Sequence, residues 1–282
     1  MNTATDCFVL HNKSTIPCLG FGTWQIPDGA AAIGAVKEAL KKGYRHIDAA
    51  AIYGNETSVG KGIAESGVNR AELFVTSKVW NSERGYDNTL AAFEKTLADL
   101  QLKYLDLYLI HWPASPSQFA DWKTINQKTW KAMEDLYKSE RVRAIGVCNF
   151  MPHHLEPLMQ GDVRPMVNQI EYHPGQKQEE TVQFCELNSI LVEAWSPLGT
   201  GKMLSNPMLS AIAAKYRKSV AQLCIKWCLQ NGVLPLPKSV TPSRIAENLQ
   251  VFDFTIAEED MRAINRMKYF GGSGLDPDRV PF

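Results

Sequence analysis

The chain has 282 residues, 45% of them hydrophobic and 21% charged, with 30 basic side chains against 30 acidic ones. This composition excludes a disordered chain, and the charge balance leaves no field of one sign to attract nucleic acid or an anionic membrane, so small molecules are the expected partners. No stretch reaches the roughly 18 apolar residues of a membrane span, Met1 to Asp6 lack the basic start and apolar run of a signal peptide, and the six cysteines are scattered as reduced thiols would be; the cytoplasm is the expected compartment.

In chain order, Phe8 to Leu10, a turn at Asn12-Lys13 and Ser14 to Ile16 predict a β-hairpin that plugs the lower end of a barrel built from the rest of the chain. Short apolar, β-branched runs then alternate with helical patterns. Strands are expected at 18–22, 45–48, 73–77, 105–110, 142–147, 166–170, 191–195 and 233–237, and eight of them imply a closed (β/α)8 TIM barrel. After Asp87, read as an N-cap, Leu90, Phe93, Leu97 and Leu100 share one helical stripe; Thr241-Pro242 reads as a cap and first helical residue before Ile245 and Leu249. Between His111 and Asn126 the sequence reads as a loop over the strand ends, and the tail from Tyr269 has no periodicity, so both are expected beside a pocket. No linker or repeat marks a boundary, which gives one domain over 1–282 and an expected monomer. Cys224 and Cys228 share a helix face that is also apolar and read as core; His153 and His154 are adjacent and expected to point apart, so no metal site is expected. Asn12-Lys13-Ser14 and Asn55-Glu56-Thr57 match the glycosylation pattern by coincidence on this reading.

Chemistry in such a barrel sits at the C-terminal ends of the strands. Asp48 ends the second predicted strand, Tyr53 follows in its loop, Lys78 ends the third and His111 ends the fourth. Singly, these read as a helix cap, a rim tyrosine, a surface charge and a core histidine. Together they form a proton-donating set: an ammonium at Lys78 lowers the pKa of a nearby tyrosine, Asp48 keeps Lys78 charged, and neutral His111 hydrogen-bonds a carbonyl.

Several motifs resemble the aldo-keto reductase family. They are Gly43-Tyr44-Arg45-His46-Ile47-Asp48 continuing through Tyr53, Glu56 and Gly60; Thr76-Ser77-Lys78-Val79-Trp80; Asp106 through His111-Trp112-Pro113; Arg143 to Val147; Val167-Asn168-Gln169; Trp195-Ser196-Pro197-Leu198-Gly199; and Pro237-Lys238-Ser239. The branch resembled contains bacterial diketogluconate reductases and trypanosomatid prostaglandin F synthases. The resemblance implies reduction of aldehydes and ketones by hydride transfer from NADPH, with a catalytic tetrad falling on Asp48, Tyr53, Lys78 and His111. It places cofactor contacts at Gly22, Thr23, Trp24, Asp48, Cys148, Asn149, Gln169, Trp195, Ser196, Pro197 and Leu198. Further contacts fall on Lys238, Ser239, Val240, Arg244, Glu247 and Asn248, where a basic, hydroxylic cluster at a helix start suits a 2′-phosphate and favours NADPH over NADH. Trp24, Trp80 and Trp112, with Tyr53 and His111, are the expected substrate wall.

Two residues depart from the pattern. Where the family has serine this chain has Cys148, whose thiol is a weaker donor than a hydroxyl and is also expected to bring thiol sensitivity, and Ala49 replaces a threonine. Two rivals remain at this point: a non-catalytic binding protein on the same scaffold, and a barrel isomerase or aldolase using Lys78 as a Schiff base. The second leaves Lys238 and Arg244 unexplained.

Overall fold

A computed structural model describes all of residues 1–282. The chain opens on an antiparallel hairpin, β1 (Cys7–Val9) against β2 (Thr15–Pro17). Eight parallel strands come next in sequential order: β3 (Gly20–Gly22), β4 (His46–Asp48), β5 (Phe74–Val79), β6 (Leu105–Ile110), β7 (Val142–Cys148), β8 (Val167–Glu171), β9 (Leu191–Trp195) and β10 (Leu234–Leu236). Helices cross between them: α1 (Ala30–Lys42), α2 (Glu56–Glu65), α3 (Tyr86–Leu100), α4 (Trp122–Lys138), α5 (Pro152–Leu155) and α6 (Glu179–Leu187) come after β3 to β8 in turn. Two helices, α7 (Pro207–Lys215) and α8 (Val220–Gln230), separate β9 from β10, and α9 (Pro242–Leu249) and α10 (Glu258–Asn265) complete the chain before an irregular tail.

All eight expected strands form, with ends within one or two residues of those read from the sequence. The barrel closes where the Gly22 N–H donates to the Pro237 carbonyl at 3.1 Å. Packing is tight at this seam: a Cβ on Gly20 would come within 2.3 Å of a Leu236 methyl carbon and 2.7 Å of His46 Nδ1, so both side chains would have to shift. Gly60 has a similar role outside the barrel, since a Cβ there would meet the Leu100 carbonyl oxygen at 2.2 Å as α2 crosses the end of α3. The hairpin lies against the entry ends of the strands, where His11 reaches the Pro165 carbonyl at 3.3 Å and Asn12 the Arg143 carbonyl at 3.0 Å, with Ile16 fully buried. It therefore covers the barrel end opposite the predicted chemistry.

Asp106 of the family-like motif is structural. Buried near the start of β6, it accepts from the Val75 N–H at 2.9 Å and pairs with Arg70 at 2.7 Å and Arg143 at 3.0 Å, tying neighbouring strands together. Burial explains the cysteines as well: Cys224 and Cys228 are wholly inside the core. Asn55 is buried and donates to the carbonyls of Thr23 and Ile26, which leaves no exposed glycosylation acceptor there.

Three local expectations are corrected. Helix α3 begins at Tyr86 after Gly85, whose φ of 96° suits glycine, so Asp87 lies in the first turn and is not the cap. The region after His111 becomes helical at Trp122, short of the loop expected as far as Asn126. Thr241 precedes α9 but caps nothing; its own N–H donates to the Ser239 hydroxyl at 3.1 Å. No helix is long and apolar enough to cross a membrane.

Candidate active site

The exit ends of the strands surround a cleft of about 900 Å³. Asp48 at the end of β4, Tyr53 at the end of a short 3₁₀ turn (Ala51–Tyr53) and His111 just past β6 line it, with Lys78 near the end of β5 behind Asp48 and Tyr53. Parallel pairing brings these positions together, because each strand delivers its last residues to the same rim. Lys78, only 1% exposed, uses all three ammonium hydrogens: it donates to Asp48 Oδ2 at 2.7 Å, the Ala49 carbonyl at 2.9 Å and Tyr53 Oη at 3.2 Å. The Tyr53 and His111 rings meet edge to face with centroids 5.6 Å apart, and Trp80 closes on the other side of His111 at 5.1 Å.

Burial is the largest influence on Lys78 and opposes its charge, but the surrounding acidic groups, Asp48 first among them, together outweigh it and hold the ammonium above the usual lysine range. His111 is held well below the usual imidazole value by burial and then by Lys78, so it is neutral as expected. Tyr53 runs against expectation. Burial pushes its hydroxyl above the ordinary phenol value, and Lys78 only partly offsets this, with Asp48 acting in the same direction as burial. The desolvation of a phenolate outweighs one ammonium already shared with a carboxylate.

The wider cleft collects most of the predicted contacts. Gly22, Trp24, Asn149, Gln169, Trp195, Ser196, Pro197 and Leu198 line it, as do Lys238, Ser239, Arg244, Glu247 and Asn248. Lys238 and Arg244 are exposed and neither forms an ion pair within the chain. Asn149, at φ 62°, accepts from the Trp195 indole N–H at 2.8 Å and donates to the His111 carbonyl at 3.1 Å, which fixes the indole beside the tetrad.

Two predicted contacts do not reach the cleft. Thr23 is fully buried and gives both its N–H and its hydroxyl to the Asp48 carbonyl, at 3.1 and 2.8 Å; it braces the strand end from behind. Val240 is 48% exposed and does not line the cleft. Lys78 also lies behind the cleft wall, reaching it only through Tyr53 and Asp48. Cys148 lines the cleft but is buried, and burial raises its thiol well above the usual value, so it stays protonated and the expected thiol sensitivity is not supported.

The tail borders the cleft as expected, with the loop after β6 against it, although sequence reasoning singled out none of the residues involved. Phe282 packs against Trp80 and Trp112 with ring centroids 5.4 Å away in each case, and Leu275 joins it from the same tail. Gln118 donates to the carbonyls of Val280 and Phe282, both at 2.9 Å, so the loop after β6 clasps this tail. Thr200, Gly201 and Leu204, and the capped start of α8 at Ser219–Gln222, also border the cleft. Only the Ser-x-x-Gln capping pattern was visible locally.

The two adjacent histidines are a further correction. His153 and His154 do not point apart: their ring centroids lie 3.9 Å apart with the planes tilted by 45°, and both Nε2 atoms approach Asp278 Oδ1, at 3.1 and 3.0 Å. His154 Nδ1 accepts the Met151 N–H at 3.2 Å, and that bond turns the ring toward its neighbour. In the neutral ring the proton then sits on Nε2, on the side of Asp278. The trio ties the tail to α5.

With this geometry in place, the relatives are informative. The sequence model described as the Aldo/keto reductase family matches residues 18–268. The chain belongs to the aldo-keto reductase family and is an oxidoreductase. It is 50% identical over 278 residues to a glyoxal reductase of Bacillus subtilis (strain 168), covering 98% of each chain. It is 49% identical over 282 residues to a 9,11-endoperoxide prostaglandin H2 reductase of Trypanosoma cruzi (strain CL Brener), covering 99% of this chain and 97% of that one. Among solved structures it resembles a Bombyx mori aldo-keto reductase in complex with NADP, with TM-score 0.85, 37% identity and coverage of 94% and 93%.

Proposed function

We propose that this protein reduces aldehydes and ketones to alcohols with NADPH, and that Tyr53 donates the proton. The observation that carries this reading is the hydrogen-bond direction at Tyr53. Lys78 donates to the tyrosine oxygen at 3.2 Å, so the hydroxyl hydrogen is free to point into the cleft toward a carbonyl oxygen. The raised pKa suits this role: the proton stays on Tyr53 at neutral pH and leaves only when a strongly basic alkoxide forms. As it leaves, Lys78 stabilises the phenolate without moving, because Asp48 and Ala49 already hold it. Neutral His111 orients the carbonyl, and Trp24, Trp80, Trp112 and Phe282 exclude water.

The cofactor supplies the hydride when bound. The residues present fit it: Lys238 and Arg244 offer unpaired cationic donors in the cleft wall for the 2′-phosphate, and the Gln169 and Asn149 amides with the Trp195 ring line the same cleft. A Schiff-base role for Lys78 is disfavoured, since all its hydrogens are engaged and its pKa is raised, leaving no free amine to attack a carbonyl.

We take the substrates to be small carbonyl compounds of broad scope, and place the protein in the cytoplasm as a monomeric single domain that binds neither membrane nor nucleic acid. The balanced charge and six unpaired cysteines support this placement. NADPH oxidation measured with phenylglyoxal, methylglyoxal, a nitrobenzaldehyde and a keto-sugar acid tests the reading. Turnover of several of these is expected; equal rates for wild type and Tyr53→Phe would sink the mechanism. Strong activity on one compound and none on the small aldehydes would refute the broad scope.

A further inference from the structure

A second carboxyl lies inside the barrel, linked to the tetrad through one amide, and proton donation by Tyr53 makes no use of it. Glu193 of β9 is fully buried and sits directly across from Gln169 of β8 in the parallel register. Gln169 Nε2 donates to Asp48 Oδ1 at 2.9 Å and to Glu193 Oε2 at 2.9 Å. A primary amide has two N–H hydrogens, so these two bonds use both. Gln169 lines the cleft, and its remaining polar atom is the carbonyl oxygen Oε1.

The amide orientation is set by charge. Asp48 is paired with Lys78 at 2.7 Å, and an amide oxygen turned toward that carboxylate would be repelled. Asp48 alone, however, engages only one of the two hydrogens. Without Glu193 the other N–H would lie unpaired in the dry interior, and the amide would gain by rotating it toward the cleft.

We propose that Glu193 is a positioning residue for the cofactor: together with Asp48 it holds Gln169 so that only a hydrogen-bond acceptor faces the cleft, ready for the N–H of a nicotinamide carboxamide. This rests on the reading that a nicotinamide cofactor occupies the cleft. The chemistry of the pair is consistent with it. Burial, and then the Asp48 charge, raise the Glu193 carboxyl to about 8, so at neutral pH it adds no second negative charge beside the Lys78–Asp48 pair. Its other oxygen, Oε1, has no partner in the chain, so the bond to Gln169 is the one polar contact that accounts for an acid at this depth.

A neutral amide at 193 accepts the same hydrogen bond, whereas methionine of similar length does not. Binding of NADPH, and separately of adenosine 2′,5′-bisphosphate, is therefore measured by fluorescence titration for wild type, Glu193→Gln and Glu193→Met, with no turnover involved. Glu193→Met is expected to bind NADPH about tenfold more weakly, the scale of one lost neutral hydrogen bond. Glu193→Gln is expected to stay within about twofold of wild type by the same reasoning, and the bisphosphate, which reaches only the Lys238 and Arg244 cluster, to bind all three alike. Wild-type NADPH affinity in Glu193→Met would overturn the role of Glu193, as would an equal loss of both ligands. Should Glu193→Met fail to fold, Glu193→Leu, which also lacks an acceptor, takes its place with the same expected loss; a tenfold loss in Glu193→Gln would also overturn the role, because an acceptor remains there. Absence of NADPH binding to wild type would instead overturn the functional reading itself.

Discussion

Lys78 lies behind the wall of the cleft and Lys238 lines it, and the two lysines are arranged in opposite ways. Lys78 is buried, with each hydrogen on a fixed oxygen and its charge balanced by Asp48 before any ligand arrives. Lys238, with Arg244 beside it, is exposed and unpaired in the chain. A charge held in place in a low-dielectric interior can stabilise a reacting group without reorganising, which is what proton transfer at Tyr53 requires. Exposed cations gain their partner only from a ligand, so they contribute affinity and cofactor choice, and their effect is screened by salt.

Substitutions beside the two lysines should separate in what they change. The largest effect is expected beside the buried one: Tyr53→Phe should lower kcat about 10²- to 10⁴-fold, the usual share of a general acid, with NADPH affinity unchanged. Beside the exposed one, Arg244→Ala should weaken NADPH binding about 10- to 100-fold, as for loss of a charge-assisted contact, while leaving NADH binding and kcat near wild type. The loss should shrink at high salt. A matching fall in NADH affinity would show that Arg244 does not read the 2′-phosphate.

Outside the cleft, Glu56 tests whether the same desolvation acts on stability. Its buried carboxyl accepts from Ser77 at 2.5 Å and Thr96 at 3.3 Å, and burial raises it to about 7. A raised folded value means that the stabilisation from its neutral form is present below about 4.5, its unfolded value, and is lost as pH rises through about 7. The Tm of wild type should therefore fall more between pH 5 and 8 than that of Glu56→Gln; parallel curves would contradict the shift.

The pH profile of kcat should be level from about pH 6 to 8, because His111 is held below its ordinary value of 6.5 and Tyr53 above its ordinary value of 10.0. An inflection near 6.5 would assign a titrating imidazole to the reaction. The smallest effect is expected at Cys148→Ser, with kcat and NADPH affinity within about twofold of wild type, since the thiol is buried and protonated and a hydroxyl, though a stronger donor, is also neutral and leaves the charges of the site unchanged.

Much of the protein is legible along the chain. Alternation of β-branched runs with helical stripes is a local signal, so all eight strands could be read, and the strand-end rule then brought Asp48, Lys78 and His111 together with Tyr53 before any distance was known. Composition set the class, and the resemblance supplied the reaction type. What the tertiary structure alone decided depends on groups far apart in sequence. Desolvation is summed over every surrounding element, so the direction of the Tyr53 shift and the inertness of Cys148 could not be read from neighbouring residues. The Met151 amide turned His154, and Asp278 from the tail met both histidines. Phe282 became a wall because the loop after β6 clasps it. Glu193 looked like one acid in a strand until the β8–β9 register set it opposite Gln169, where a single amide links it to Asp48.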